Sequence, residues 1–420
     1  MRHLKTLGRV LFLLSLAAAS PALLAQAGKK EVSAGVPDWG MYRGPKRDGL
    51  SPDTGLLKEW PASGPPLAWK ATGLGLGYSS VSIVGNRLFT MGDVDKSCTL
   101  IALNLADGKT VWKLPIAPSA GVDRPGSRST PASDGKMVFC LTPSGQLACA
   151  DAATGRLLWK KDLGGKMMSG WGFSESPLLD GPLVVVTPGG DGGTVEAFDK
   201  VAGKTVWQSK ELKDKAAYSS LVPIELGGIR QYVVFTDQSV AGIAAKTGQV
   251  VWRAAREGKT AVIPTPVYKD GFLFVTSGYD VGHNGFQITG TGGKFQATEV
   301  YKGKVIVHTG AIVLVDDHVY AQTDSGQLKC IELKTGKEAW SGASVPGKGT
   351  VCYADGHLII RNEKGAVSLV EASPAAYKEV GRFNSERVGG EQGWAHPVVF
   401  GGKLYIRDWD ALTCYDLQAK

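Results

Sequence analysis

An all-β fold, in the form of an eight-bladed β-propeller with four-stranded antiparallel blades, is predicted by three features of this 420-residue sequence. A Gly-containing turn followed by a Trp recurs five times, and these Trp residues are 47, 48, 45 and 88 positions apart. A period of about 40 to 50 residues is the signature of a repeat architecture, and the spacing of 88 fits two periods with one Trp missing. Apolar residues form short runs bounded by Gly, Pro, Asp or Ser, which is typical of strands. The 56 glycines suit many tight turns.

Each repeat is predicted to contain four strands. In the second repeat, a first strand opens at Ser129, and residues 136–142 alternate as a second strand. Residues 146–151 return as a third strand, and residues 156–160 form the last. Four short antiparallel strands in a unit of this length describe one propeller blade.

Eight blades follow from counting the last strand of each repeat. Seven of these strands are predicted at Trp112, Trp159, Trp207, Trp252, Val307, Trp340 and Phe383. An eighth blade begins at Trp394 and ends at Leu417 without a fourth strand. The missing strand is predicted near Trp69, so that the N-terminal strand pairs with the C-terminal strands and closes the ring without an open sheet edge.

The Trp residues of the last strands are predicted to be structural, because a large apolar ring can wedge between adjacent blades. This set comprises Trp69, Trp112, Trp159, Trp207, Trp252 and Trp340.

The chain is predicted to have three parts: a signal peptide at residues 1–27, an N-terminal extension at residues 28–66 and the propeller at residues 67–420. The basic start, the short apolar core and the final Ala25-Gln26-Ala27 match a secretory signal. No cysteine lies near the cleavage site, and no later stretch approaches about twenty apolar residues. We therefore expect an exported protein, periplasmic or extracellular, with no lipid anchor and no membrane span. We also expect a monomer.

The net charge argues against nucleic-acid binding. The whole chain has a formal charge of +8, and residues 1–27 contain three basic and no acidic residues, which leaves +5 after cleavage. These charges are scattered along the sequence, whereas nucleic-acid binding usually requires a concentrated basic stripe.

Two of the six cysteines form a candidate disulfide. If Ser144-Gly145 is a two-residue hairpin turn, Cys140 lies opposite Cys149 at a non-hydrogen-bonded position, where side chains approach most closely. The alternative is a pair of packed thiols.

The repeat motif, best seen at residues 197–207 (AFDKVAGKTVW), resembles that of the pyrroloquinoline quinone (PQQ)-like β-propeller family. That family includes quinoprotein alcohol dehydrogenases and also non-catalytic propellers, such as the lipoprotein subunit of the outer-membrane β-barrel assembly machine. Residues 39–49 (WGMYRGPKRDG) are similar to the start of uncharacterised exported members. The resemblance implies a propeller from about Leu67 to the C-terminus.

The resemblance also makes PQQ and Ca²⁺ candidate cofactors. The known quinoprotein enzymes stack PQQ between a Trp and a disulfide of adjacent cysteines, beside a calcium ion held by Glu, Asn and Asp. This sequence has no adjacent cysteine pair and no Cys-x-x-Cys-His motif for a c-type haem. Soluble relatives without the cysteine pair leave PQQ open as a cofactor.

The residues that open the first strand of each blade are expected to meet at the central channel. Seven of the eight positions are Ser or Thr, and the eighth is His396. A ring of hydroxyl groups most simply caps local backbone groups around the channel. The seven are Ser80, Thr130, Ser176, Ser220, Thr265, Thr309 and Thr350.

Ionisable and aromatic residues beside this ring form a candidate ligand-binding pocket, since aromatic walls with a few convergent polar groups are typical of small-molecule sites. Its predicted members are Tyr78, Arg128, Trp171, Glu175, Tyr218, His308, Trp394 and His396. Glu175 is a candidate metal ligand or catalytic base, and Arg128 could clamp a ligand carboxylate. Alternatively, Glu175 and Arg128 pair with each other and the histidines cap strands.

The function predicted from these features is a non-catalytic binding or scaffolding module for an envelope protein or a small ligand. One alternative is a PQQ-dependent dehydrogenase that oxidises an alcohol or a sugar, with Glu175 near the metal ion. A second alternative is glycan or peptide recognition at the channel mouth through Tyr78, Trp171 and Trp394.

Overall fold

Eight sheets, one for each blade and each containing four antiparallel strands, form the propeller that the sequence predicts. The computed structural model describes residues 38–122, 124–344, 347–389 and 392–418, and all regular secondary structure in these ranges is β-strand. In this part of the chain no helix is long and apolar enough to cross a membrane. The predicted signal peptide at residues 1–27 lies outside the described residues.

The four strands of each blade follow one another from the channel outward. Blades 1 and 2 contain Ser82–Val84, Arg87–Val94, Ser97–Asn104, Thr110–Pro118, and Ala132–Ser133, Met137–Leu141, Gln146–Asp151, Leu157–Asp162. Blades 3 and 4 contain Leu178–Asp180, Leu183–Val186, Glu196–Asp199, Thr205–Gln208, and Val222–Leu226, Ile229–Phe235, Ser239–Ala244, Val250–Ala255. Blades 5 and 6 contain Val267–Lys269, Phe272–Ser277, Gly282–Thr291, Lys294–Gly303, and Ile312–Val315, His318–Gln322, Gln327–Glu332, Glu338–Ser344. Blades 7 and 8 contain Gly349–Ala354, His357–Asn362, Ala366–Glu371, Glu379–Asn384, and Val398–Phe400, Lys403–Asp408, Ala411–Asp416, Leu67–Ala71.

Blade 8 closes the ring by combining the two ends of the described chain. Its outermost strand, Leu67–Ala71, runs antiparallel to Ala411–Asp416, with Trp69 opposite Cys414 and Lys70 opposite Thr413. The predicted closure is confirmed. This closure stabilises the ring, because opening the ring within blade 8 would require breaking the backbone hydrogen bonds of a sheet.

The apolar core is divided into clusters that mostly join neighbouring blades. In one of them, Phe89 and Leu100 of blade 1 pack with Val138 and Ala148 of blade 2, and all four are fully or almost fully buried. Both faces of each central strand are therefore covered, which explains why these strands read as nearly continuous apolar runs.

In most blades the repeated Trp connects one blade to the next. The ring of Trp112 in blade 1 lies against Gly155 in the turn of blade 2, where a Cβ atom would come within 2.6 Å of the ring. Its Nε1 donates a hydrogen bond to the carbonyl of Ala152 in the same turn, at 3.2 Å. The same arrangement joins Trp159 to Gly203. Glycine is required in these turns both for its positive φ and for the close approach of the ring.

Blade 5 departs from the prediction. Its last strand is Lys294–Gly303 rather than a strand at Val307. The strands Gly282–Thr291 and Lys294–Gly303 have ten residues each and form a hairpin longer than those of the other blades. Tyr301 takes the place of the missing Trp: its ring lies against Gly336 and its hydroxyl donates to the carbonyl of Leu333. Another large aromatic residue therefore replaces the Trp that is missing from this repeat.

Residues 38–51, here called the plug segment, extend across the ring and contact the inner strands of several blades. The carbonyl of Gly40 accepts a hydrogen bond from Ser133 N of blade 2. Arg47 donates to the carbonyls of Ser176 and Pro177 of blade 3, both at 2.8 Å.

On the far side of the ring, Arg43 of the plug segment donates to the carbonyl of Ile312 of blade 6 at 2.7 Å. The short strand Leu50–Ser51 then pairs in parallel with Tyr353 and Ala354 of blade 7. Because the plug segment binds blades on opposite sides of the ring, it crosses and fills one end of the central channel.

The predicted disulfide between Cys140 and Cys149 is wrong. Residues 143–145 form a three-residue connection, so Cys149 pairs with Phe139 and Cys140 pairs with Ala148. This shift by one residue places the two thiols on opposite faces of blade 2, since side chains alternate along a strand. Cys140 packs toward blade 1 and Cys149 toward blade 3. Both are buried free thiols.

Candidate functional site at the channel mouth

A cavity of about 280 Å³ occupies the channel next to the plug segment, and Tyr42 of this segment forms part of its lining. Its walls come mainly from the loops that lead from the last strand of one blade to the first strand of the next. These loops converge at the same end of the ring because the first strands of all blades run in the same direction along the channel. The cavity is thus built from all parts of the propeller.

Seven of the eight predicted site residues line this cavity: Tyr78, Arg128, Trp171, Tyr218, His308, Trp394 and His396. The structure therefore brings together residues that are up to 318 positions apart in the sequence. Their role in ligand binding remains a prediction.

Stacked aromatic rings and two arginines form one wall of the cavity. Tyr78 stacks on Trp394 with 4.9 Å between ring centroids and 30° between the ring planes. The guanidinium of Arg124 lies 5.8 Å from the Trp394 ring centroid, and that of Arg128 lies 5.7 Å from the Tyr78 centroid. Cations over aromatic faces at this distance are mutually stabilising, so the wall is both aromatic and positively charged.

Arg128 also organises the loops around the cavity. Its Nη1 donates to the carbonyl of Trp171 at 2.7 Å, and its Nη2 donates to the carbonyl of Arg124 at 2.6 Å. Burial lowers the pKa of Arg128 from its ordinary value, while Tyr78 acts in the opposite direction. An arginine keeps its charge at neutral pH under such conditions, so Arg128 connects two loops and also presents a positive charge.

The two histidines of the site differ in their surroundings. His308 Nδ1 lies 2.8 Å from the carboxylate of Asp324, and the backbone N–H of His308 donates to the same carboxylate. His396 Nε2 lies 3.0 Å from the hydroxyl of Tyr42, at the inner end of the cavity. Burial lowers the pKa of His396 to about 3, so His396 is neutral at physiological pH.

The hydroxyl ring connects neighbouring blades through the backbone. Thr130 Oγ1 accepts a hydrogen bond from Ser80 N at 3.1 Å, and Ser176 Oγ accepts one from Thr130 N at 2.9 Å. Ser220 Oγ accepts from Ser176 N at 3.0 Å. On the other side, Ser80 Oγ donates to the carbonyl of His396 at 2.7 Å. The hydroxyls therefore join the segments that lead into the first strands of adjacent blades.

Glu175 is the one predicted residue that lies away from the cavity. Ser174 and Ser176 on either side of it line the cavity, so the alternation of side chains directs Glu175 to the other face. Its carboxylate is buried and accepts a hydrogen bond from Thr187 N. Burial raises the pKa of Glu175 to about 7, and the nearby Arg47 of the plug segment acts to lower it.

Several cavity residues were not predicted from the sequence. Tyr42 comes from the plug segment, which has no repeat period to align, and Arg124 and Lys348 lie in the loops between blades. Tyr279 and Glu363 lie in hairpins between the second and third strands of blades 5 and 7. Alignment of those hairpins across the blades would have identified the last two.

The described residues do not fit the PQQ and calcium site of the quinoprotein enzymes. In this part of the chain no group of three or more His, Cys, Asp or Glu side chains could hold a metal ion. The described cavity lining includes a single carboxylate, Glu363, whose Oε2 accepts a hydrogen bond from Trp394 Nε1 at 3.2 Å. All six cysteines are buried free thiols. We therefore derive no reaction through PQQ.

Two curated relatives with the same description support a common family. The chain is 29% identical over 195 residues to the outer membrane protein assembly factor BamB of Burkholderia pseudomallei, which covers 45% of this chain and 46% of that protein. It is 24% identical over 372 residues to the protein of that name from Shewanella oneidensis, which covers 82% of this chain and 86% of the relative. The match therefore spans just under half of the first protein and most of the second.

Solved structures share the fold at low sequence identity. BamB from Moraxella catarrhalis superposes with a TM-score of 0.62 at 15% identity, covering 84% of this chain and 97% of that one. The quinohemoprotein alcohol dehydrogenase ADHIIG from Pseudomonas putida HK5 gives a TM-score of 0.64 at 14% identity, covering 91% of this chain and 80% of the enzyme. BamB and an alcohol dehydrogenase thus superpose about equally well, so the fold alone does not decide the function.

A family model described as outer membrane protein assembly factor BamB matches residues 96–342 and 288–376, which together make up more than half of the chain. The matched region runs from blade 1 to blade 7 and includes five of the six predicted structural Trp residues. With the repeat motif, the eight blades and the two relatives, this match places the chain in the BamB family of PQQ-like β-propellers.

Proposed function

We propose that this protein is a non-catalytic scaffold that binds an envelope protein during outer membrane protein assembly. The observation that carries the proposal is the family match from residue 96 to residue 376. The N-terminal sequence supports a periplasmic location, since residues 1–27 have the pattern of a secretory signal.

An apolar stripe on the rim of the propeller supports a protein partner. Val111, Leu158 and Val206 precede the repeated Trp in the outermost strands of blades 1, 2 and 3, and they are 39%, 37% and 53% exposed. Exposed apolar residues that recur at the same position of neighbouring blades offer a surface for a protein partner. We call these three residues the rim stripe.

Blade 4 shows how such a stripe can be covered. Its equivalent residue, Val251, is half-buried in a cluster that includes Phe295 and Ala297 of the long hairpin of blade 5. The chain's own hairpin therefore lies against the outermost strand of blade 4, while the rim stripe of blades 1 to 3 is exposed. A partner segment of similar apolar character would fit beside these strands.

The experiment is co-elution of the purified mature protein with the purified outer-membrane β-barrel assembly machine of the same bacterium. The wild-type chain should form a complex, and the double substitution Leu158→Asp with Val206→Asp should abolish it. Leu67→Asp is the matched control, because Leu67 is 61% exposed on the outermost strand of blade 8, outside the rim stripe. Failure of the wild-type chain to bind, or equal binding by the double variant, would contradict the proposal.

A PQQ-dependent dehydrogenase is the second candidate, favoured by the fold that the chain shares with the quinohemoprotein alcohol dehydrogenase. Mixing the mature protein with PQQ and Ca²⁺ tests it directly. Saturable cofactor binding together with dye-linked oxidation of an alcohol or sugar would establish the enzyme over the scaffold. Because the described cavity residues do not fit this cofactor pair, we expect neither result.

A further inference from the structure

We propose that the channel cavity binds a small carboxylate with a single ring, a class that includes acidic sugars and aromatic acids. This proposal is independent of the protein partner, because the cavity lies at the channel and the rim stripe lies on the outermost strands. It assigns a ligand class to a site for which the family match supplies none.

The charge of the lining favours an anion. Among the described residues that line the cavity, three carry a positive charge, Arg124, Arg128 and Lys348, and one carries a negative charge, Glu363. Glu363 accepts the Nε1–H of Trp394. Asp324, which lies outside the lining, is engaged by His308. A ligand carboxylate would therefore meet three cationic side chains among the described residues of the lining, and hydrogen bonds between charged groups are the strong ones.

Three hydroxyl groups of the ring lie on the same cavity and each has one O–H to donate. Thr130, Ser176 and Ser220 each accept a hydrogen bond from the backbone N–H of the preceding blade, as described above. Each hydroxyl can also donate one hydrogen bond, and the described residues provide no acceptor for any of these three O–H groups. All three side chains line the cavity. Carboxylate or sugar oxygens would accept these hydrogen bonds.

The aromatic walls and the volume favour a ligand with one ring. Tyr78, Trp171, Tyr218, Tyr279 and Trp394 all contribute to the lining, so a ring-shaped ligand would find aromatic faces on several sides. The volume of about 280 Å³ is near the lower limit of small-molecule pockets, which hold about 300 to 1,000 Å³. Inorganic phosphate is too polar to use these walls.

Isothermal titration calorimetry on the mature protein tests the ligand class with four organic probes. Galacturonate and benzoate represent the acidic sugar and the aromatic acid, and galactose and benzyl alcohol are their neutral counterparts. At least one acid should bind tenfold or more tightly than its counterpart, and its affinity should fall as salt rises, because the attraction is between charges. Which acid binds more tightly identifies the source of the ligand.

Arg128→Gln should weaken binding of that acid by about tenfold to a hundredfold, the usual effect of removing a charged hydrogen bond. Arg156→Gln is the matched control, because Arg156 is an exposed arginine of blade 2 outside the cavity. Since Arg128 also connects two loops, Lys348→Gln is a second variant that should weaken binding without unfolding the protein. Thermal unfolding of each variant checks its fold.

Three outcomes would overturn the proposal. The first is that neither acid binds at 10 mM or that each acid binds no more tightly than its neutral counterpart. The second is that inorganic phosphate competes as well as the acid, because the ring would then be irrelevant. The third is binding that neither Arg128→Gln nor Lys348→Gln weakens relative to Arg156→Gln.

Discussion

Glu175 should make the stability of the propeller depend on pH, and Glu175→Gln should remove that dependence. The carboxyl group is 1% exposed, and its Oε2 has no hydrogen-bond partner among the described residues. Burial raises the pKa from 4.5 to about 7 in the folded protein. Between these two values the folded protein keeps a proton that the unfolded chain has lost.

The sign and size of the effect follow from proton linkage. Because the folded state binds more protons, the free energy of unfolding falls as pH rises through this window, by about 1.4 kcal/mol per pH unit for one proton. The loss is complete above a pH of about 7 and totals about 3 kcal/mol. Glutamine preserves the shape and the acceptor for Thr187 N but cannot ionise. The variant should therefore gain stability relative to the wild type as pH rises.

Urea unfolding of both proteins at several pH values between 4.5 and 8, followed by Trp fluorescence, measures this difference. Subtracting one curve from the other removes the contribution of other carboxyl groups, such as Asp53, whose pKa burial also raises. A difference that stays constant with pH would show that Glu175 does not titrate between these two values in the folded protein. So would a variant that becomes less stable than the wild type as pH rises, because Glu175 would then be an ionised partner of Arg47.

Two further predictions concern the packing of the blades. Gly155→Ala should lower the free energy of unfolding by about 1 to 3 kcal/mol more than Gly181→Ala does. Both glycines have a positive φ, but only Gly155 lies against the ring of Trp112. Equal losses in chemical denaturation would contradict the packing role of the motif. All six cysteines are buried free thiols, so they should resist a thiol reagent in native buffer and react with it in denaturant without reductant. If a disulfide were present, mass spectrometry would show two unreacted cysteines.

The number of blades and the ring closure could be predicted because the Trp motif reports a local contact that each blade repeats. Trp69 was recognisable as an isolated last strand for this reason. The aromatic and cationic residues of the cavity could be located in part, because Tyr78, Tyr218 and their equivalents precede the first strands in sequence. The hairpin register at Cys140 could not be read, since one extra residue in a turn exchanges the two faces of a strand.

The plug segment was beyond prediction for a different reason. Its residues bind carbonyl groups of distant blades, as Arg47 does at Ser176 and Arg43 at Ile312. Such contacts leave no period in the sequence. The surroundings of Glu175 depended on the same unknown: alternation with Ser174 and Ser176 directs its side chain away from the cavity, but the charge beside it comes from the plug segment.

The most direct test of the proposed scaffold is the amount of folded outer membrane β-barrel protein in living cells. A strain that lacks the gene for this chain would be complemented with the wild type, with the rim-stripe double variant or with Leu67→Asp, at equal expression. Heat-modifiable migration on gels reports the folded fraction. If the protein is a scaffold that binds through the rim stripe, the wild type and Leu67→Asp should restore folding and the double variant should not. Unchanged levels in the deletion strain, or full restoration by the double variant, would contradict it.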